Sequence, residues 1–191
     1  MLLESAPVRS RIGPFSLTIA IGAAVLVVVA CGNHAAPTCS GTTCTCAGSA
    51  CSCNGGASCD IKCGANPGCT ATCSNVASCN IACRDNCSAQ CTSGGSCNVQ
   101  CGQGCNYDCN GAQQCSVAAE NGSVIHCSGS ESCTVACDGK CTVTCDDRPC
   151  TVQCTDLAAC DVQCGPGSAA AVECKVDPTK TSGTKVCGGG C

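Results

Sequence analysis

The plainest pattern in the chain lies between Cys133 and Cys154, which reads CTVAC-DGK-CTVTC-DDRP-CTVQC. Side chains alternate faces along a strand, so residues i, i+2 and i+4 share one side. Each unit puts Cys, Val and Cys on one face and small polar residues on the other, which predicts a strand with a single buried face. Units of this form begin at residues 59, 69, 79, 87, 97, 105, 115, 123, 133, 141, 150 and 160. Their central residues are Ile61, Ala71, Ile81, Ala89, Val99, Tyr107, Val117, Ile125, Val135, Val143, Val152 and Val162, mostly the β-branched types that suit a half-buried strand. The turns between them, among them GANPG, TSGGS, ENG and DGK, are rich in residues that accept tight or left-handed backbone.

Beyond Cys31 no apolar spacing of 3.6 residues persists over a useful length, so the expected class is all-β. From 79 to 141 the unit starts are separated alternately by eight and ten residues, and two units make an 18-residue layer. An internal period of this size marks a stacked array. The expectation is a disulfide-laddered, flattened β-solenoid of about 18-residue layers, with one strand on each side of every layer. An antiparallel β-meander is the alternative, because DGK and ENG would also serve as hairpin turns. Both place Val99, Val117, Val135 and Val152 inside and Asn98, Ser116, Thr134 and Thr151 outside. They differ in whether stacked neighbours run parallel.

Composition changes the picture of what holds such a fold. The 191 residues include 31 Cys but one Phe, one Tyr, one Met and no Trp. Large side chains supply much of an ordinary core, so covalent or metal cross-links must supply the remainder here. Cysteines i and i+4 of one strand stand about 13 Å apart, beyond the roughly 4.4–6.8 Å between Cα atoms that a disulfide spans. Each must look across a turn or to the next layer. Across turns the pairs are Cys83 with Cys87, Cys101 with Cys105 and Cys137 with Cys141, then Cys91 with Cys97, Cys109 with Cys115 and Cys145 with Cys150. Ala119 and Ser123 stand where two cysteines are due, and they face each other across one short turn. Losing both keeps the count balanced. The same rule runs from Cys39–Cys44, Cys46–Cys51 and Cys53–Cys59 through Cys160, and Cys164–Cys174 and Cys187–Cys191 complete it. Pairing between layers is the rival, since equivalent positions in neighbouring strands lie about 4.8 Å apart.

At the N-terminus Arg9 and Arg11 precede an apolar run from Phe15 to Ala30, sixteen residues long. That is short for a spanning helix but suits the apolar region of a signal peptide. The run ends Val28-Val29-Ala30-Cys31-Gly32, which resembles the lipobox of bacterial lipoproteins. The resemblance implies lipidation of Cys31, cleavage before it and retention at a membrane in the bacterial cell envelope, facing the periplasm or the exterior. An uncleaved anchor helix is the alternative, and either way the cysteines face an oxidising compartment. With Cys31 lipidated, an even number of cysteines remains to pair. The expected organisation is residues 1–30 signal peptide, 31–38 lipidated tether, 39–58 N-terminal cap layer, 59–174 cysteine-rich repeat and 175–191 C-terminal cap.

Candidate chemistry is sparse. No Gly-x-Ser-x-Gly, Walker A, His-Glu-x-x-His or dinucleotide fingerprint occurs. His34 sits in the tether, His126 falls on an outward strand position, and Asp146 and Asp147 share a turn. We expect no enzyme, no cofactor and no metal site. Residues 1–30 hold two of the 9 Lys and Arg and one of the 13 Asp and Glu, so the remainder is acidic and unlike a nucleic-acid binder. The expected role is a non-enzymatic, lipid-anchored, disulfide-stapled envelope protein acting as a rigid structural or surface-binding element. Its membrane contact is through the N-terminal lipid, and the sequence names no surface ligand or envelope partner. One alternative is a metal-thiolate store, for which Cys44-Thr-Cys46 and Cys51-Ser-Cys53 are the best signals. The other is binding of ice or polysaccharide through flat Thr, Asn and Ser faces. Here Thr70/Thr72 and Thr142/Thr144 resemble the Thr-Cys-Thr rows of the disulfide-stapled β-solenoid antifreeze proteins of insects.

Overall fold

The computed structural model describes residues 36–64, 67–146, 149–165, 169–174 and 181–188. Residues 1–30, Cys31, His34, Asp147 and Cys191 lie outside the described residues. Fifteen strands follow in chain order: β1 Thr38–Ser40, β2 Cys44–Ala47, β3 Ala50–Asn54, β4 Ser58–Lys62, β5 Thr70–Ala82, β6 Ser88–Cys101, β7 Asn106–Glu120 and β8 Ser123–Ser128. Then come β9 Ser132–Asp138, β10 Cys141–Cys145, β11 Cys150–Cys154, β12 Cys160–Cys164, β13 Ala169–Ala170, β14 Val172–Cys174 and β15 Gly183–Cys187. No helix occurs among the described residues.

The strands coil into an all-β solenoid. On one side β4, the second halves of β5, β6 and β7, then β9 and β11 stack in parallel and in register, so Ile61, Ile81, Val99, Val117, Val135 and Val152 form one inward row. On the other side β3, the first halves of β5, β6 and β7, then β8, β10 and β12 stack likewise, with the row Ala71, Ala89, Tyr107, Ile125, Val143 and Val162. Every residue of both rows is buried. Parallel neighbours one layer apart exclude the meander. The alternation of apolar and polar residues fixes this register, although partners lie from 17 residues apart (Val135 and Val152) to 20 (Ile61 and Ile81), because a slip of one residue would turn the inward row outward and the polar residues inward.

Three strands are longer than the unit pattern predicts. β5, β6 and β7 pass round one edge without a break and serve both sides of their layers. At this edge Asn75, Ser93, Gly111 and Gly129 occupy equivalent places, each with left-handed φ (55°, 52°, 75° and 61°). That kink turns the next residue inward, and Val76, Ala112 and Ser130 are buried there. Gly94 holds the same place one layer beyond Val76, with φ of 139°. A Cβ there would run into the backbone of Val76, so only glycine lets the layers close at this point.

Both ends of the parallel stack are covered by antiparallel strands. At the start β1 lies on β4 and β2 on β3. At the finish β15 runs back along β11, and β13 along the last residues of β12. Lys185 of β15 stands opposite Val152, at the end of the valine row. Its Nζ donates to the Cys160 carbonyl at 2.6 Å and pairs with Glu173 at 3.3 Å. β14 then lies antiparallel on the other side of β15 and sets Glu173 opposite Lys185. Leu157, buried in the turn before β12, packs beside Gly183 and fixes the returning strand through its N–H to the Thr181 carbonyl at 2.8 Å.

Candidate functional site

Registers of the two sides bring the cysteines together in two columns, one at each edge. The first column stacks seven bridges: Cys53–Cys59, Cys73–Cys79, Cys91–Cys97, Cys109–Cys115, Cys127–Cys133, Cys145–Cys150 and Cys164–Cys187. Six strand spacings separate first from last, a length of roughly 29 Å. The second column holds Cys63–Cys69, Cys83–Cys87, Cys101–Cys105, Cys137–Cys141 and Cys154–Cys160. Cys39–Cys44 and Cys46–Cys51 close the N-terminal lid.

One end of the ladder departs from the turn-closing rule. Cys164 is bonded to Cys187 across 23 residues, not to Cys174. Cys187 is thereby committed, so the expected Cys187–Cys191 bond does not form. The cause is the strand reversal. Cys164 lies one layer beyond Cys145, and the antiparallel β15 sets Cys187 one layer beyond Cys150. The bridge therefore continues the first column with a cysteine borrowed from the C-terminal segment. Cys174 is disulfide-bonded as well.

The second column has one vacancy, between Cys101–Cys105 and Cys137–Cys141. Ala119 and Ser123 fill it, 3% and 1% exposed. Ser123 Oγ donates to the Gly102 carbonyl at 3.2 Å and accepts from the Cys105 N–H at 3.3 Å. Both hydrogen bonds tie Ser123 to the turn of the preceding layer.

The outer surfaces carry ladders of like residues one layer apart. Asn98 Nδ2 donates to Asn80 Oδ1 at 3.1 Å, and Asn80 Nδ2 donates to Asp60 Oδ1 at 2.7 Å. Ser116, Thr134 and Thr151 continue the row. Beside it runs an open trough. A part of about 350 Å³ is bordered by Asp60, Lys62, Asn80 and Asn98. A part of about 640 Å³ is bordered by Glu120, Ala136, Asp138 and Gln153, and the two adjoin at Gln100 and Ala118. On the opposite surface Thr70 and Thr72 are followed by Ser88 and Gln90, then Asn106 and Asp108. Thr142 and Thr144 are flanked by Val124 and His126 and by Asp161 and Gln163. The two threonine pairs therefore do not join into a continuous lattice.

His126 is half exposed on that surface, with Nδ1 3.6 Å from Asp108 Oδ1 and Nε2 3.4 Å from Asp146 Oδ2. Its nitrogens point to carboxylates on opposite sides of the ring. Among the described residues, five groups of three cysteine sulfurs lie within 4.8 Å of one another, Cys44/Cys53/Cys59 and Cys63/Cys83/Cys87 among them. Every sulfur in those groups belongs to a disulfide, whereas a metal ion takes the thiolate. Reduction would have to precede metal binding at any of them.

Tyr107 is the one buried ionisable group of the interior row, fully enclosed, with no hydrogen-bond partner for its hydroxyl among the described residues. Ala71 and Ala89 precede it in the row and leave room for the ring. Burial, and secondarily the charge of Asp108, push the phenol well above its ordinary value. The folded chain keeps the proton where the unfolded chain releases it. Stability is therefore full below about pH 10 and is lost as pH rises through and beyond that range. Because Tyr107 is the single tyrosine, tyrosinate absorbance should be absent near pH 11 in the folded oxidised protein and appear on unfolding. Titration at the ordinary value without unfolding would contradict its burial.

No protein-family model, curated protein or solved structure matches the chain.

Proposed function

We propose that this protein is a non-enzymatic, lipid-anchored element of a bacterial envelope whose stapled solenoid acts as a rigid structural or surface-binding arm. The observation that carries the reading is the pair of bridge columns along a parallel, in-register stack. A small-residue core with almost no aromatic side chains is held at both edges of nearly every layer, so its surface keeps one shape. The polar ladder Asp60–Asn80–Asn98 and the adjoining trough supply an invariant outer face, suited to a regular surface or an extended polymer. Anchoring rests on the Val-Val-Ala-Cys box after the apolar run, and the oxidising compartment it implies agrees with full pairing of the ladder.

The test is metabolic labelling with a fatty-acid probe. The wild type should carry label and partition with membranes, and Cys31→Ala should lose both. Equal labelling of the two would reject the anchor. A purified protein that hydrolyses or transfers any substrate with its solenoid intact would reject the non-enzymatic part.

A further inference from the structure

From the N-terminal lid to Cys97, sulfurs of successive disulfides lie within 4.8 Å of one another. Cys44 Sγ lies 3.7 Å from Cys59 Sγ, which joins the bridge Cys39–Cys44 to Cys53–Cys59. Cys59 is grouped within 4.8 Å with Cys73 and Cys79, and Cys79 with Cys91 and Cys97. At the start of the series Cys39 is grouped in the same way with Cys46 and Cys51. Five bridges thus form one unbroken series: Cys46–Cys51, Cys39–Cys44, Cys53–Cys59, Cys73–Cys79 and Cys91–Cys97. Its first member contains the exposed Cys46, whereas Cys53, Cys59, Cys73, Cys79, Cys91 and Cys97 are 1–3% exposed.

Parallel stacking adds a second condition. Cys59 and Cys79 are register partners, as are Cys79 and Cys97. Their Cα atoms stand one strand spacing apart, about 4.8 Å, inside the roughly 4.4–6.8 Å window of a disulfide. Each of these cysteines therefore has its layer neighbour within the Cα range of a disulfide as well as its turn partner.

We propose that this series is a thiol–disulfide relay, which carries a reduced cysteine pair from the exposed lid into the buried first column. The co-reactant is a dithiol. It reduces Cys46–Cys51 and leaves as its own disulfide. One of the two new thiols, as thiolate, attacks a sulfur of Cys39–Cys44, so a mixed disulfide forms and the other sulfur departs and takes up a proton. The second thiol of the lid pair then attacks the mixed disulfide, restores Cys46–Cys51 and releases the remaining sulfur as a thiol. One bridge has closed and the next has opened, with sulfur, protons and electrons conserved and no further oxidant or reductant consumed. Repetition moves the opening to Cys53–Cys59, Cys73–Cys79 and Cys91–Cys97. The second column is interrupted by contrast. Ala119 and Ser123 separate Cys101–Cys105 from Cys137–Cys141 by two spacings, roughly 10 Å, too far for exchange.

The experiment gives the oxidised mature chain less than one equivalent of dithiothreitol, removes the reagent, and alkylates samples at intervals for peptide mapping, with amide hydrogen exchange followed in parallel. The relay predicts label first at Cys46 and Cys51. It should then reach Cys59, Cys79 and Cys97 at constant total thiol, with mixed Cys59–Cys79 peptides recovered while the amides of β5 and β6 stay protected. The double variant Cys46→Ser/Cys51→Ser should lower the interior label at least about tenfold. Label that stays on the lid overturns the proposal. So does interior label that is unaffected by the double variant, or that appears only as fast as the amides exchange.

Discussion

Reduced in denaturant, alkylated and returned to buffer, the chain should recover no sheet. Each turn-closing loop spans four to six residues, and loop-entropy arithmetic gives such a bridge about 2 kcal/mol. Domains keep a net stability of only about 5–15 kcal/mol, so opening a handful of bridges exhausts the margin even with strong non-additivity. The interior offers little to offset the loss. Its rows are valine, isoleucine and alanine with one tyrosine, and alkylation leaves polar groups at the cysteine positions on either side of them. Far-ultraviolet circular dichroism should show the strand signal of the oxidised protein replaced by that of a disordered chain. Scattering should report a radius of gyration near 40 Å for a chain the length of Gly32–Cys191, against roughly 15 Å for a compact one. A sheet that persists after alkylation would mean that packing alone holds the solenoid.

The second large effect concerns direction. Val135 is wholly buried between Val117 and Val152, whereas Thr134, its neighbour, is exposed between Ser116 and Thr151. Val135→Asp puts a carboxylate in the row with no partner, at a cost on the order of 4 kcal/mol or more. Thr134→Asp adds the same charge to the outer ladder and should stay within about 0.5 kcal/mol. Denaturant midpoints of the two oxidised variants measure the contrast, with hydrogen exchange in β7 and β11 showing whether the opening is local. Equal effects would break the assignment of faces.

The inward and outward rows were legible in the sequence because Cys-x-Val-x-Cys fits only one alternation, and the 18-residue spacing made the stacking readable with it. The edges were less so. Val76 falls between two Cys-x-x-x-Cys units, in SNVAS, and its inward position depends on the left-handed Asn75, which short-range pattern does not reveal. A large apolar residue inside an otherwise polar turn was the available signal. Leu157 gave the same signal at the other end and marks where β15 docks. The Cys164–Cys187 bridge was hidden for a different reason. Turn closure is a local rule, whereas this pairing follows from the chain reversing to lay β15 antiparallel on β11. The vacancy at Ala119 and Ser123 could be read as a paired loss, but the hydrogen bonds of Ser123 that fill it depend on the Gly102 and Cys105 backbones. The trough beside the asparagine ladder is a product of side-chain sizes across six strands and has no short motif.

The central claim is that a parallel solenoid is stapled layer by layer at its edges, and a non-reducing peptide map of the purified oxidised protein tests it most directly. The account predicts Cys101 linked to Cys105, Cys137 to Cys141 and Cys164 to Cys187, with none of these six cysteines free. Cysteines joined to their neighbours 18 residues away, or found as thiols holding a metal ion, would contradict it.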